Sequence, residues 1–368
     1  MLKQYKLKDY HFRLIILIMA LSTIGVFVVG SALKAVQNKQ LFGVILGLCV
    51  MIVISLIDYK YILNYYWILY FANIGFLLLV RFFGDDAGGA TRWIDIGFRF
   101  QPSELSKILL IIFFAEFFNR HIDDLNTLKT LALTGILILI PWLLILKQPA
   151  LSTSIVVALI FCVIIYIAGL SPKIIGCIFA LFVPLAGIFI SIILQPNQSL
   201  LQGYQFRRIM AWLHPENKLY LDLTLQQKNS IMAIGSGQLF GKGLNNTMIS
   251  SVKNGDFVSE SHTDFIFSVV GEELGFVGGC VVIGLLLLIV LECIWIGKNA
   301  KDKTGTMICC GMAALIAFQS FINISVVTRL LPNTGLVLPF VSYGLSSLIS
   351  LFIGMGLVLN VGLQPKKY

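Results

Sequence analysis

Charged side chains are scarce in this sequence. Only 12% of its 368 residues are Asp, Glu, Lys or Arg, whereas 58% are hydrophobic, and the mean hydropathy is +0.90. A chain of this length cannot bury so much apolar surface in a water-soluble core, but a lipid bilayer accommodates it directly. The composition therefore excludes a soluble globular protein and predicts a polytopic membrane protein.

The chain also lacks the patterns of disulfide frameworks and metal clusters. All seven cysteines lie inside apolar stretches, where a free thiol behaves as a small hydrophobic side chain. They are Cys49, Cys162, Cys177, Cys280, Cys293, Cys309 and Cys310. His262 has no second histidine at ligand spacing. We therefore expect neither disulfides nor a metal cluster held by protein side chains.

The net charge of +9 does not indicate a nucleic-acid partner. The basic residues are scattered singly between apolar runs and do not gather on one polar face. Membrane lipids and the orientation of the chain in the membrane explain them better.

A glycine-rich segment, Gly235-Ser236-Gly237 followed by Gly241-Lys242-Gly243, has two interpretations. Backbone amides with such spacing could cradle a phosphate. However, no strand is predicted before the segment, and no Lys-Ser/Thr pair follows its last glycine. Glycine turns within an amphipathic interfacial segment are the favoured interpretation.

Apolar runs of about 17–25 residues predict about ten membrane-spanning helices. The runs cover residues 13–32, 40–57, 62–82, 103–119, 127–146, 151–169, 172–194, 264–296, 305–327 and 336–362. The predicted fold is an all-α polytopic membrane protein, and the first run is a retained helix because no clear cleavage site follows it. The eighth run is too long for one perpendicular crossing, and Gly278-Gly279 within it suggests a kink, a tilt or an extension above the bilayer.

The basic residues of the short connections predict the topology of the chain. They collect on one side if both termini are cytoplasmic. The long loop at 196–262, between the seventh and eighth helices, is then extracytoplasmic. Most of the polar residues that suit chemistry share that outer face.

Asp264 lies where this polar loop turns into the eighth apolar run. A carboxylate in that position is costly and marks a functional-site candidate. It could instead cap the helix, because Asp is a preferred N-cap residue. As a general base it would take a proton from a sugar hydroxyl, while Glu260 and His262 would bind substrate or shift its pKa. Glu272, two turns further on, falls on the same side of the helix.

The connection between the third and fourth helices carries a second group of charges. Arg92 offers a planar fork for diphosphate oxygens, and Lys107 supplies a point charge one turn after Glu104. Together they suggest a phosphate clamp. The alternative is that Glu104 and Lys107 pair at i,i+3 and that Arg92 reaches the lipid headgroups.

Four motifs together resemble the SEDS family (RodA, FtsW and SpoVE) along almost the whole chain. They are Arg92-Trp93 with Gln101-Pro102-Ser103-Glu104-Leu105-Ser106-Lys107, the glycine-rich segment at 235–243, His262-Thr263-Asp264-Phe265-Ile266-Phe267 with Gly271-Glu272-Glu273-Leu274-Gly275, and Leu338-Pro339-Phe340-Val341-Ser342-Tyr343-Gly344. They follow one another in the family's order and spacing. Two positions depart from the family pattern: Ala150 replaces the usual Asp after Gln-Pro, and Leu345 replaces the second glycine after Ser-Tyr.

The resemblance implies a single membrane domain over 1–368 with ten transmembrane helices in the bacterial cytoplasmic membrane. It implies a peptidoglycan glycosyltransferase that polymerises lipid II on the outer face, for elongation, division or sporulation, with a class B penicillin-binding protein as partner. Asp264 takes the position of the catalytic aspartate. The substrate-binding candidates are Arg92, Gln101, Glu104, Lys107, Arg208, Glu260, His262, Glu272 and Ser342.

Two further points stay open at this stage. No residue is assigned to a metal, although a divalent cation, Mg²⁺ or Mn²⁺, would help the diphosphate to leave. Ten helices with an outer polar cavity also suit a lipid II flippase or another transporter of lipid carriers.

Overall fold

The computed structural model describes residues 10–87, 90–95, 99–148, 150–193, 203–245, 258 and 260–364. Its helices in chain order are α1 (Phe12–Ala32), α2 (Lys34–Leu56), α3 (Tyr59–Leu63), α4 (Tyr66–Phe83), α5 (Pro102–Arg120), α6 (Leu128–Lys147), α7 (Leu151–Ala168), α8 (Pro172–Ile193), α9 (Gly203–Leu213), α10 (Leu221–Ser236), α11 (Ile266–Lys298), α12 (Lys303–Val327) and α13 (Leu345–Gly362). Ten of these have 18 residues or more, and they correspond to the ten predicted spans. The prediction of an all-α polytopic membrane protein is confirmed.

Among the described residues, eight long helices are apolar enough to cross a membrane by length and composition. Helix α5 is not one of them. Helix α5 carries Glu104, Lys107, Glu116 and Arg120, yet 15 of its 19 residues are buried because it packs against α4, α7, α12 and α13. Glu104, Lys107 and Glu116 therefore face protein and not lipid, which is where charged side chains are found inside membranes. Arg120, at the end of the helix, is 47% exposed and pairs with Glu116.

Helices α12 and α13 join α5 at the centre of the bundle. In the apolar 18-residue stretch of each helix, 72% of the residues of α12 and 83% of those of α13 are buried, compared with 28% in α4 and in α6. The peripheral helices expose large apolar side chains, as Phe42 and Phe71 do at 63% and 62%. An outward apolar surface of this kind is stable in lipid.

Between α4 and α5 lies a small antiparallel sheet that no sequence pattern predicted. Its strands are β1 (Asp85–Ala87), β2 (Ala90–Asp95) and β3 (Arg99–Phe100), in the order β1-β2-β3. Trp93 pairs with Asp85, and Ile94 pairs with Phe100. The sheet holds Arg92 on its central strand and leads directly into α5.

The predicted long loop at 196–262 contains α9, a 3₁₀ turn (Lys218–Tyr220) and α10, and its remaining parts lie partly outside the described residues. Helix α10 is fastened to the end of α12. Gln227 Nε2 donates to the carbonyls of Val326 and Leu331, both at 2.9 Å, and Ser230 Oγ donates to the carbonyl of Val327 at 2.8 Å. This part of the loop is thus a packed cover on the helix bundle.

Helix α11 is broken at Gly275, and the predicted kink at Gly278-Gly279 is wrong by one turn. Gly275 has φ 68° and ψ −165°, a conformation that favours glycine. The segment after α10 bonds the backbone on both sides of the break: Lys242 N donates to Glu272 O (3.0 Å), and Phe276 N donates to Gln238 O (2.8 Å). A helix can break inside a membrane where neighbouring protein satisfies the freed backbone groups.

The glycine-rich segment at 235–243 therefore serves close packing. The amides of Lys242 and Gly243 donate to the carbonyls of Glu272 and Glu273, so they do not cradle a phosphate. A Cβ on Gly237 would overlap the carbonyl oxygen of Gly271, and one on Gly241 would overlap that of Glu273. The favoured interpretation of these glycines as structural residues holds.

Gly237→Ala is expected to lower the free energy of unfolding by about 1–3 kcal/mol, because its methyl group meets a backbone carbonyl. Gly235→Ala in α10 is the matched control. Its Cβ has nothing within 4 Å, and Ala in a helix is more stable than Gly by roughly 0.5–1 kcal/mol. Thermal unfolding of both variants in one detergent gives the comparison, and equal loss at the two positions would contradict the packing role.

Candidate active site at the start of the eighth span

Asp264 lies in a tight turn just before α11. The carbonyl of Glu260 accepts hydrogen bonds from Thr263 N (3.1 Å) and Phe265 N (3.4 Å), and Glu260 itself has a positive φ of 57°. The N-cap residue of α11 is Phe265, and within this described turn no side chain bonds the first amides of the helix. The alternative in which Asp264 caps the helix is wrong, so its carboxylate is available for other contacts.

The turn is fixed against the loop between α12 and α13. Ser342 Oγ donates to the carbonyl of Thr263 and accepts from Leu338 N, both at 2.7 Å. Tyr343 N donates to the carbonyl of His262 at 2.9 Å. Ser342 is only 4% exposed, so the structure gives this predicted substrate-binding residue the role of holding the Asp264 turn in place.

Arg92 and Arg208 meet Asp264 around Gly335. A Cβ placed on Gly335 would lie 3.1 Å from Asp264 Oδ2 and 3.9 Å from Nη1 of each arginine. Gly335 has φ +71° and leaves this space open. The three charged residues come from β2, α9 and the turn before α11, so the tertiary structure brings Arg92 and Arg208 next to Asp264.

The environment of Asp264 suits a base. Its pKa is raised from an ordinary value of 3.8 to about 6. Burial is the largest cause and the neighbouring charge of Glu260 adds to it, while Arg208 and Arg92 act in the opposite direction. The side chain keeps partial exposure, so a substrate hydroxyl can reach it. A carboxylate with this pKa is ionised at neutral pH and is more basic than an exposed one.

Glu104 and Lys107 form a buried pair beneath the site. Lys107 Nζ lies 2.8 Å from Glu104 Oε1 and 2.7 Å from Gln319 Oε1, and the Lys107 side chain is 2% exposed. The i,i+3 pairing is therefore what the structure shows. Lys107 is engaged with protein acceptors and does not join the two arginines, whereas Glu104 is close enough to raise the pKa of Asp264.

The other predicted substrate-binding residues divide into accessible and packed ones. Glu260 is 63% exposed and His262 is 21% exposed, with Oε2 and Nε2 4.0 Å apart. Glu272, by contrast, is buried in an ion pair with Lys242 at 2.8 Å and helps to hold the break in α11. Gln101 donates from its backbone to Ser346 Oγ at 3.0 Å and from Nε2 to Ser103 Oγ at 3.1 Å, which joins the start of α5 to α13.

Sequence reasoning missed Gly335 and Asn323, both next to Asp264. The only signal for Gly335 was its place in the turn-forming run Pro332-Asn333-Thr334-Gly335. Asn323 carried no signal, because one Asn in an apolar helix has many explanations. Within the described residues, no group of three His, Cys, Asp or Glu side chains is arranged to hold a metal ion.

Comparison with known proteins agrees with the sequence motifs. The family model for FtsW, RodA and SpoVE, described as "Cell cycle protein", matches residues 10–367. The peptidoglycan glycosyltransferase MrdB of Escherichia coli K12 is 34% identical over 360 residues, which cover 96% of this chain and 93% of MrdB. A probable peptidoglycan glycosyltransferase FtsW of Geobacter sulfurreducens is 33% identical over 376 residues, which cover 98% and 97%.

Two solved structures share the fold. One is a chain from a study of how a peptidoglycan synthase complex coordinates polymerisation and crosslinking, with a TM-score of 0.76, 28% identity and coverage of 96% of this chain and 97% of that one. The other is the rod shape determining protein RodA of Thermus thermophilus, with a TM-score of 0.68, 27% identity and coverage of 96% of both chains. The similarity in sequence and structure thus extends over nearly the whole molecule.

Proposed function

Since the chain belongs to the SEDS family of FtsW, RodA and SpoVE, we propose that it is a peptidoglycan glycosyltransferase that polymerises lipid II, with Asp264 as the general base. Family membership rests on the match over residues 10–367 and on relatives that carry this activity in their names. The observation that carries the assignment of the site is the approach of Asp264, Arg92 and Arg208 around Gly335.

The reaction joins two lipid-linked disaccharides. The 4-hydroxyl oxygen of a GlcNAc attacks the anomeric carbon of a MurNAc, its proton passes to Asp264, and the bond from that carbon to the undecaprenyl diphosphate breaks. The bonding electrons leave with the diphosphate, so the configuration inverts and a β-1,4 linkage forms. Asp264 acts in the deprotonation of the attacking hydroxyl, and its ionised form at neutral pH is the form that accepts the proton.

Arg92 and Arg208 suit the leaving group. A diphosphate gains negative charge as it departs, and guanidinium groups aimed at that position stabilise it in the transition state. Both arginines are half-buried, which strengthens their interaction with an anion relative to bulk water. A divalent cation would add to this stabilisation of the leaving diphosphate, and that part of the proposal stays a prediction.

The chain is a multi-pass membrane protein. We propose that its ten long helices all cross the membrane, which would place both termini on the same side. With cytoplasmic termini, as the basic residues predict, the Asp264 turn and the covering helices α9 and α10 face the outside. The peptidoglycan synthase complex that shares the fold supports a class B penicillin-binding protein as the partner that crosslinks the product.

The decisive assay is polymerisation in detergent. The purified chain with its partner should convert labelled lipid II into glycan strands in micelles, where no sealed compartment exists, and the partner alone should give none. A flippase would form no product in micelles and would only move lipid II across sealed vesicles. Translocation in vesicles without polymer in micelles would overturn the glycosyltransferase assignment.

The rate of polymerisation should fall as the pH drops through about 6. Burial raises the pKa of Asp264 to about 6, and protonation below that pH removes the base, so the rate should decrease about tenfold for each further pH unit. The measurement is the single-turnover rate of polymerisation between pH 5 and 8. Samples returned to pH 7.5 verify that the protein is intact. A flat profile over that range would contradict the role of Asp264.

A further inference from the structure

Asn323 of α12 joins the two backbone segments that meet at the site. Its Nδ2 donates to the carbonyl of Asp264 at 2.8 Å and to the carbonyl of Leu336 at 2.5 Å. Rotating the amide would turn Oδ1 toward two carbonyl oxygens, so only this orientation provides donors for both acceptors. The side chain is 1% exposed and does not contact bulk solvent.

The two acceptors belong to the two backbone segments that come close together where Asp264 meets Gly335. One is the backbone of Asp264 itself, and the other is the residue that follows Gly335, whose Cβ position lies 3.1 Å from Asp264 Oδ2. The acceptors are 59 and 13 residues away from Asn323 along the chain. Local sequence does not hold either segment in this relation. Ser342 joins the same two segments at Thr263 and Leu338, whereas Asn323 joins them directly at Asp264 and beside Gly335.

This arrangement has a cost in stability. Within the described residues, Asn323 Oδ1 is buried and has no hydrogen-bond partner. A buried acceptor without a partner disfavours folding, and an apolar side chain of similar size would avoid that cost. A residue retained for packing alone would not need the amide, whereas a residue that fixes two carbonyls does.

We propose that Asn323 is a positioning residue that sets Asp264 against Gly335 and the two arginines. The inference rests on the proposed function, because it concerns the placement of the proposed base. Asn323 does not touch the substrate. It acts by keeping the carboxylate within reach of the attacking hydroxyl, where a displacement of about 1 Å lowers the rate about 100-fold.

The test compares four variants of the full-length protein with its partner in the micelle assay, two of them at Asn323. Asn323→Ala removes the donor, and Asn323→Asp keeps the shape but replaces the donor with an acceptor. Both should reduce kcat about 100-fold with little change in KM. The pH limb should also move to lower pH, because a released turn exposes Asp264 to water and its pKa returns toward the ordinary value.

Asn360→Ala is the matched control. Asn360 lies in α13 at the other end of the bundle, is fully buried, and also bonds two backbone groups: Nδ2 donates to Ser55 O at 2.6 Å, and Oδ1 accepts from Tyr59 N at 2.8 Å. This variant should lose stability in thermal unfolding but keep the kcat and pH profile of the wild type per folded molecule.

Wild-type kcat and pH profile in Asn323→Ala would overturn the inference, as would a kcat loss shared equally by Asn360→Ala. Asp264→Asn is measured in the same series to separate the two proposals. If that variant polymerises lipid II, the assignment of the base fails and takes this inference with it. If it is inactive while Asn323→Ala behaves as the wild type, only the role of Asn323 fails.

Discussion

Asp264→Asn is expected to reduce lipid II polymerisation on the order of 10³-fold, because the amide cannot accept the proton of the attacking hydroxyl. The measurement is the rate of glycan formation in micelles at pH 7.5 with the partner present. Asp123→Asn, which neutralises an exposed carboxylate after α5, is the control and should keep the wild-type rate. Polymerisation by the Asp264→Asn protein near the wild-type rate would remove Asp264 from the mechanism.

The same substitution should stabilise the protein at high pH, which shows that lost activity is not lost folding. The pKa of Asp264 is raised from 3.8 to about 6 in the folded state, so the native protein holds this proton more tightly than the unfolded chain. Ionisation above pH 6 therefore disfavours the fold, and the Asn variant avoids that cost.

At pH 8 the gain has an upper limit of about 3 kcal/mol, reduced by solvent screening because the side chain is partly exposed. The difference shrinks as the pH falls through 6 and vanishes near 4. Thermal unfolding of both proteins at pH 5 and pH 8 measures it. A variant less stable than the wild type at pH 8 would contradict the raised pKa.

Gly335→Ala is the second variant with a large expected effect. Its methyl group would sit 3.1 Å from Asp264 Oδ2 and 3.9 Å from the guanidinium nitrogens of Arg92 and Arg208, in the space that the reacting groups need. We expect polymerisation to fall about 100-fold, since small displacements at the reacting atoms have effects of that size.

Backbone strain must be separated from this steric effect. Gly169→Ala is the control, because Gly169 also has a left-handed φ, +105°, but nothing lies within 4 Å of its Cβ position. Both variants carry about 1–2 kcal/mol of strain in that conformation. Gly169→Ala should therefore lose similar stability and keep its rate, whereas equal rates in the two variants would show that the space at Gly335 is not used.

The number and approximate position of the long helices could be predicted from the sequence, and some of them nearly to the residue. The run at 172–194 became α8 (Pro172–Ile193), and the run at 305–327 became α12 (Lys303–Val327). Hydrophobicity over about 20 residues is a local property, and a bilayer converts it directly into a spanning helix. Gly275 shows the limit of this reasoning, because the position of the break depends on which segment satisfies the freed backbone groups.

The charges of α5 illustrate the same limit. Spacing alone predicted that Glu104 and Lys107 could pair, since i and i+3 are neighbours on a helix. It did not predict Gln319 as the second acceptor for Lys107, because that contact depends on how α12 packs against α5. The packing of α12 against α5 thus buries Lys107, and this proposed phosphate ligand contacts protein acceptors inside the helix bundle.

By itself, the sequence determined that this protein spans the membrane about ten times and that an acid stands where its eighth span begins, because hydropathy and residue type are read locally along the chain. Only the tertiary structure decided which groups surround that acid. Arg92, Arg208 and Gly335 are each more than 50 residues from Asp264. They meet it because a small sheet, a covering helix and the loop after α12 converge on one end of the bundle, and no local pattern encodes that convergence.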